Sequence, residues 1–371
     1  MHFTIARDTI LKPLSLACSV IDKKQHCDIL QNIFFAADAN SLTITGSDSE
    51  IEYKTIIELN NIIDPGSVTL PGRRIYDWIK QLPVNSFIEF RSTENDRVTL
   101  KAGSSLSRTT SLPAQSYPFF LFTASEFVYR IKSSIFKESL DKISFSMADQ
   151  DVRYFLNGLL FDLRPEFLRL VATDGHRLSL IQLEHSKDFD FSISSSAIIL
   201  PRKTVFELSR TLSEIDGDVD ISLSNSSISF KSGSTILCSR LIDGKFPDYE
   251  RVLPKSSSFT AIVSKDELKF ALSRLSVFTN EKSKGVRFFL SENILKLIAA
   301  NNFNDEATEI LDVTYSGHDI ESAFNLAYLL DLLAVIDDTA VKLSFADPQS
   351  SLLIQPIDCN QAAYIVMPMR I

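Results

Sequence analysis

One pattern of apolar and polar positions occurs three times along the chain. FTIARDTILKPLSLA from Phe3, YRIKSSIFKESLDKI from Tyr129 and AIVSKDELKFALSRL from Ala261 each read as a short strand of alternating apolar residues. A capping-type residue follows (Asp8, Ser134, Asp266), then a helix with apolar residues every three to four positions. Ile10, Phe136 and Leu268 share one column, 126 and 132 residues apart, and Leu14, Leu140 and Leu272 share the next, four residues on. That spacing puts both columns on one buried helix face. A second set repeats as well: SVTLPGRRIYDWIKQL from Ser67, SAIILPRKTVFELSRTL from Ser196 and SAFNLAYLLDLLAVI from Ser322, with Leu70, Leu200 and Leu326 aligned. Pro71 and Pro201 suit a first helical turn. Alternating segments follow each predicted helix: NSFIEFRS, DVDISLSN and AVKLSFAD.

The pattern predicts three α+β units, each β-α-βββ-α-ββββ, spanning 1–125, 126–254 and 255–371. LPAQSYP (Leu112–Pro118) and LIDGKFP (Leu241–Pro247) match as the connections. Three similar units joined by similar linkers turn by a similar angle at each joint. Such a chain traces an arc, which closes by head-to-tail association and pairs its own edge strands.

Composition narrows the classes. At 371 residues with 44% apolar content the chain has ample material for several cores. No apolar run approaches the ~18 residues that span a bilayer, and Arg7, Asp8 and Lys12 interrupt the N-terminal stretch. Cys18, Cys27, Cys238 and Cys359 are scattered without a CxxC, which fits a reducing cytoplasm rather than a zinc or disulfide framework. A net charge of −9 argues against gripping nucleic acid over the whole surface and leaves room for a local basic lining. Lys12, Lys132, Lys137, Lys142, Lys269 and Arg274 fall on the predicted first helices. Arg73, Arg74, Lys80, Arg202, Lys203 and Arg210 fall on the second, but the last of these, NLAYLLDLLAVID, has none. These are also compatible with ordinary solvated helix faces.

The densest chemistry is VATDGHRLSL (Val171–Leu180). Asp174, His176 and Ser179 supply the atom types of a hydrolase, but adjacency in sequence does not make a triad, and no G-x-S-x-G is present. His2, His26, His185 and His318 have no ligand-like spacing to His176, DGDVD (Asp216–Asp220) lacks the rest of a calcium loop, and no glycine-rich phosphate loop exists. No cofactor or metal is implied. The alternative is a pocket wall. Asp174-Gly175 reads as a tight turn that sets Leu178 at a corner, and the apolar, methionine-containing ending from Ile365 to Ile371 needs somewhere to dock.

Taken together, QDVRYFLNG (Gln150–Gly158), VATDGHRL, DGKFPDYERVLP (Asp243–Pro254), NEKSKGVR (Asn280–Arg287), ILDVTYSG (Ile310–Gly317) and YIVMPMRI (Tyr364–Ile371) resemble the bacterial DNA polymerase III beta sliding clamps over the full length. The resemblance implies a homodimeric six-domain ring around duplex DNA, held by topology and by weak sequence-independent contacts. It implies a non-catalytic, cytoplasmic processivity factor. Its partners would be the replicative polymerase, the clamp loader, translesion polymerases and repair proteins, each bound through a short peptide. On that resemblance Lys24, Arg73, Gln150, Arg153, Tyr154 and Lys203 approach DNA. The peptide groove takes Leu156, Thr173, Gly175, His176, Arg177, Leu178, Pro247, Arg251, Val252, Val366, Met367, Pro368, Met369 and Arg370. The apolar groove, rimmed by Arg177 and Arg251, would accept leucine and phenylalanine anchors with acidic or amide flanks, at an affinity on the order of micromolar. Val277 and Phe278 match the ring joint, with Leu106 on strand Lys101–Thr109 opposite; all three are apolar enough to be core instead. Lys24 and Phe155 depart from the arginine and tyrosine expected there, and the loop Gln25–Asn32 lacks the family's proline and glycine. Two other readings remain at this point: a hydrolase centred on Asp174, His176 and Ser179, and a repeat scaffold that binds proteins but never DNA.

Overall fold

The computed structural model describes the chain apart from residues 23–26, 94–95, 123–125, 185–195, 254–258, 280–283, 304, 348, 359–360 and 371. In the first repeat β1 (His2–Ala6) runs into α1 (Arg7–Val20). Then come β2 (Asn32–Ala37), β3 (Ser41–Ser47), β4 (Ile51–Glu58), the short β5 (Ile62–Asp64) and β6 (Gly66–Pro71), α2 (Gly72–Lys80), β7 (Phe87–Thr93), β8 (Arg97–Ala102) and β9 (Ser105–Thr110). The second holds β10 (Glu126–Lys132), α3 (Ser133–Ile143), β11 (Gly158–Leu163), β12 (Phe167–Thr173), β13 (Arg177–Glu184), β14 (Ser196–Pro201), α4 (Arg202–Leu212), β15 (Asp218–Leu223), β16 (Ser227–Ser232) and β17 (Thr235–Arg240). The third holds β18 (Phe259–Ser264), α5 (Lys265–Leu275), β19 (Gly285–Ser291), β20 (Ile294–Ala300), β21 (Glu306–Asp312), β22 (Ile320–Asn325), α6 (Leu326–Val335), β23 (Ala340–Phe345), β24 (Leu352–Pro356) and β25 (Ala362–Val366).

The predicted elements recur, with two corrections. The segment ahead of each second helix is a full strand (β6, β14, β22), paired to β2, β11 and β19, so three strands rather than four follow that helix. Strands also run straight into helices, which therefore start earlier than predicted. Asp8 and Asp266 lie inside the first turn rather than capping it, and Ser134 is the second residue of α3. Ala6 caps α1 without a side-chain bond, whereas Ser264 caps α5 by accepting from the Glu267 amide.

The predicted columns form the cores. Ile10, Leu14, Phe136, Leu140, Leu268, Leu272, Leu70, Leu200 and Leu326 are all buried, each worth ~1.5–3 kcal/mol relative to exposure. Phe90 stacks on Phe3 with centroids 4.7 Å apart, and Phe324 meets Phe288 edge-on at 5.3 Å.

The chain divides into two compact units: residues 1–137 with 206–241, and 138–205 with 242–371. The first contains a five-stranded sheet, β5-β1-β7-β8-β9, and an eight-stranded sheet, β10-β15-β16-β17-β4-β3-β2-β6. The second contains β14-β11-β12-β13-β25-β24-β23-β18 and a four-stranded sheet, β21-β20-β19-β22. The middle repeat thus shares out its strands. Its β17 pairs with β4 of the first repeat, Ser239 opposite Ile51, and its β13 pairs with β25 of the third, Arg177 opposite Val366. The linkers are tied alike, by isolated bridges Thr69–Leu112 and Ile199–Ile242. The bridges align Leu112 with Ile242, one residue off the LPAQSYP/LIDGKFP match.

Candidate functional site

Thr173 ends β12 and the turn to β13 begins at Asp174. Gly175 takes φ +89°, the left-handed region that favours glycine. The Asp174 carboxylate organises the turn: Oδ1 accepts from the His176 and Arg177 amides at 2.9 and 3.0 Å, and Oδ2 accepts from Arg177 Nε at 3.0 Å. Thr173 Oγ1 donates to the Arg177 carbonyl at 2.6 Å and accepts from the Gly175 amide at 3.0 Å. With its carboxylate committed in this way, Asp174 does not orient the His176 ring, which stacks on Tyr328 with centroids 6.4 Å apart. Ser179 is buried and shares a 2.6 Å hydrogen bond with Ser146. The hydrolytic array is therefore not assembled: its nucleophile is inaccessible and its acid serves the backbone.

Alternation along β13 sends the motif to opposite faces. Leu178 joins Leu160, Val171, Leu180, Ile199, Phe246, Tyr249 and Ile365 in one apolar cluster, with half-buried Phe155, Ile242, Val252 and Leu253 packed on it. Arg177 and Ser179 point the other way. The Arg177 guanidinium donates to Asp331 at 2.6 Å and to the Phe145 carbonyl at 2.8 Å, and lies 4.6 Å from the Tyr328 ring centroid. Arg177 therefore braces the turn from beneath and does not rim the apolar face as expected. Arg251 is exposed and pairs with Asp248 at 2.8 Å; Pro247 beside it is exposed too.

The C-terminal segment supplies the neighbouring wall. Ile365 stands opposite Leu178, and Val366 opposite Arg177. Ile365, absent from the sequence-based set, therefore shares the Leu178 face. Val366 is fully buried on the other face, a placement decided by register alone. Leu156 is buried as well, and Thr173 nearly so. Beyond β25 the Met367 amide donates to the His176 carbonyl at 2.8 Å and the Met369 amide to the Ala323 carbonyl at 2.7 Å. Met367, Pro368 and Met369 stay half-buried and Arg370 is exposed. Pro368, Met369 and Arg370 also line a cleft of about 800 Å³ with Arg287, Glu321 and Gln349. On the opposite wall, Tyr249 locks the linker by donating to the buried Asp162 carboxylate at 2.6 Å, which Arg164 holds at 2.7 and 3.1 Å. Burial pushes the Tyr249 hydroxyl up to about 12, so it stays a donor at neutral pH.

Gln150, Arg153 and Tyr154 share one exposed segment before β11, and Gln150 has φ +55°. Arg153 forks onto Asp151 at 3.0 and 2.8 Å and also donates to the Asp174 carbonyl at 3.1 Å. Those Arg153 bonds hold the Asp151 acid down to about 2. Lys203 is half-exposed on α4 and Arg73 exposed on α2, while Lys24 lies outside the described residues. Several expected lining cations are paired internally: Lys12 with Glu214 at 2.8 Å, Lys142 with Asp337 at 2.9 Å, and Arg274 with Glu309 at 2.7 Å. Lys132 ends β10 instead of riding a helix. Among the described residues, no group of three or more His, Cys, Asp or Glu side chains could hold a metal ion, and no helix is long and apolar enough to cross a membrane.

Leu106 is exposed on β9, an edge of the five-stranded sheet. Val277 and Phe278 are exposed on the turn after α5. β21 forms an edge of the four-stranded sheet and carries exposed Ile310, which the sequence reading missed.

Residues 1–121, 130–248 and 250–370 match, in order, the N-terminal, central and C-terminal domain models of the DNA polymerase III beta subunit. The chain belongs to the DNA polymerase III beta subunit family. It is 39% identical to the beta sliding clamp of Pseudomonas aeruginosa and 38% identical to that of Escherichia coli K12, over 371 residues and all of each chain. The P. aeruginosa clamp solved bound to griselimycin superposes with a TM-score of 0.95 at 39% identity, covering 100% of both chains. Caulobacter crescentus pol III beta gives a TM-score of 0.93 at 29% identity, again covering 100% of both. Three successive clamp domains account for the threefold pattern in the sequence, and no family description names a hydrolase. Within this beta subunit the supports of the turn, Asp331 and Tyr328, could not be read from the motif, since they lie some 150 positions away in another repeat.

Proposed function

We propose that the chain is the replicative sliding clamp of its cell. Two copies associate head to tail into a six-domain ring that encircles duplex DNA without regard to sequence and tethers the polymerase and other DNA-processing proteins. The observation that carries this is the full-length match to three beta-subunit domains in order, at 38–39% identity to beta sliding clamps. The domains are taken as 1–125, 126–254 and 255–371, with both boundaries at residues outside those described. The ring joint uses the two exposed sheet edges, β9 with Leu106 from one copy and β21 with Val277 and Phe278 from the other. DNA meets Arg73, Gln150, Arg153, Tyr154, Lys203 and Lys24. The chain performs no chemistry and acts in the cytoplasm.

Partner peptides dock on the face that carries Leu178, Ile365 and Val252, between the turn at Gly175, the Pro247–Arg251 linker and the Met367–Arg370 tail. Griselimycin bound to the P. aeruginosa clamp supports the presence of a ligand site in this family. An apolar cluster edged by half-buried Phe155, Ile242, Val252 and Leu253, and flanked by backbone turns and a few cations, fits short segments with leucine or phenylalanine anchors.

The test is solution mass together with retention on nicked circular DNA. A two-chain particle that stays on the circle and is lost once the circle is cut supports the clamp. Equal retention on circular and linear DNA means binding without encirclement, and no retention leaves a protein-only scaffold.

A further inference from the structure

The turn before β4 is a hydrogen-bonded copy of the turn before β13. Ser47 Oγ donates to the Ile51 carbonyl at 3.1 Å and accepts from the Ser49 amide at 3.2 Å. Asp48 Oδ1 accepts from the Glu50 and Ile51 amides at 2.9 and 2.7 Å. Thr173 and Asp174 make the same four bonds in the second repeat. Ser49 takes φ +78° where Gly175 takes +89°, so the backbone is kept even at the cost of a left-handed serine. The Arg240 amide donates to the Glu50 carbonyl at 2.9 Å as the Met367 amide does to His176. In each linker an exposed proline follows a buried aromatic: Tyr117-Pro118 here, Phe246-Pro247 there.

The side chains differ where a ligand would press. Glu52 replaces Leu178, and Arg240 replaces Met367. Glu52 is buried, and its carboxylate accepts the Phe120 amide at 2.8 Å. Arg240 Nε donates to the Ser49 carbonyl at 3.1 Å, and its guanidinium sits 5.9 Å from the Phe120 ring centroid. Phe119 meets Phe34 edge-on at 4.8 Å and Tyr117 at 5.3 Å. A cleft of about 290 Å³ remains, lined by Ser49, Pro118 to Leu121, Ser226, Ser227 and Arg240.

We infer that the first repeat carries a closed copy of the partner groove, with Phe120 of its own linker as the occupant and Glu52 and Arg240 as the residues that hold it there and exclude apolar peptide anchors. An anchor pressed into the Leu178-equivalent position would displace the Phe120 amide and bury against a carboxylate, both unfavourable. Each chain then presents one peptide site although its fold contains two scaffolds for one. Specificity here comes from what is refused as much as from what is accepted. The inference rests on the groove reading above.

Calorimetric titration with a synthetic peptide bearing adjacent leucine and phenylalanine anchors and an acidic flank tests it on the full-length protein. The wild type is expected to bind one peptide per chain, and Leu178→Asp to lose at least 100-fold in affinity with no residual site. Adding Glu52→Leu and Arg240→Met to Leu178→Asp is expected to restore binding at least tenfold, now sensitive to Phe120→Ala. Glu52→Gln, which keeps the linker's hydrogen-bond acceptor, is expected to restore none. Two peptides per wild-type chain, or a triple variant that is folded by circular dichroism yet binds no better than Leu178→Asp, would overturn the inference. A wild type that binds no peptide refutes the open groove instead, while gain of binding on adding Glu52→Leu and Arg240→Met still reads the first repeat separately.

Discussion

Helices α2 and α6 hold the same place in the first and third repeats and do opposite jobs. α2 buries Ile75 and Ile79 and exposes Arg73, Arg74, Asp77 and Lys80. α6 buries Leu326, Leu329, Leu332 and Leu333 and has no basic residue. Its polar side chains look after another segment: Asp331 pairs with Arg177, and Tyr328 lies against both Arg177 and His176. Even the caps differ. Asn325 Oδ1 accepts from the Ala327 amide at 2.9 Å at the head of α6, whereas Pro71 gives α2 no side-chain cap. The aligned leucines Leu70 and Leu326 are buried in both, so packing holds the repeat together while the outward positions are free to specialise. One copy spends them on positive charge, the other on bracing a turn 150 positions away.

That division of labour can be broken from either side. The largest effect is expected from Leu178→Asp, on the face the turn supports. An unpaired carboxylate there costs several kcal/mol, and peptide capture should fall by two orders of magnitude or more while DNA retention is unchanged. Next comes Arg73→Glu with Arg74→Glu. DNA affinity measured against salt should fall on the order of tenfold near 0.1 M, and the log–log slope should flatten by about 2 if each arginine neutralises a phosphate; peptide capture should not move. Loss of both functions together would mean that α2 serves fold rather than charge. Asp331→Ala should weaken capture only two- to fivefold, since the pair is half-exposed and worth about 0.5–1 kcal/mol, again with DNA retention intact. The smallest effect concerns acid. The Asp151 carboxyl is depressed to about 2 by Arg153, so its contribution is present above the ordinary value near 3.8 and is lost as pH falls toward 2. Asp151→Asn should flatten this part of the acid limb in thermal melts between pH 5 and 2. An unchanged limb would show that the Asp151–Arg153 pair contributes nothing to folding.

The threefold architecture was legible because burial is periodic: the helix columns at Ile10, Phe136 and Leu268 are core positions in every repeat. The turn at Asp174-Gly175 was legible for a similar local reason, since a left-handed glycine and a side-chain acceptor act within four residues. Helix starts were not, because β1 and β18 pass into α1 and α5 without a separating loop, which moves the cap two residues upstream of the acidic candidates. The groove's composition was only partly readable. Which of Ile365 and Val366 faces Leu178 depends on the pairing of β25 with β13, a contact nearly 190 residues long that no local pattern encodes. The direction of the Arg177 side chain was unreadable for the same reason: its partners Asp331 and Phe145 come from distant segments.

The tail beyond β25 leaves a built-in pair of reporters. The Met367 and Met369 amides are two residues apart, yet one is anchored to the turn ahead of β13 and the other to the edge of β22. Deuterium uptake at these two positions would therefore time separate events within a single short peptide fragment: exposure at Met367 registers lifting of the tail from the turn, and exposure at Met369 registers its peeling from the neighbouring sheet.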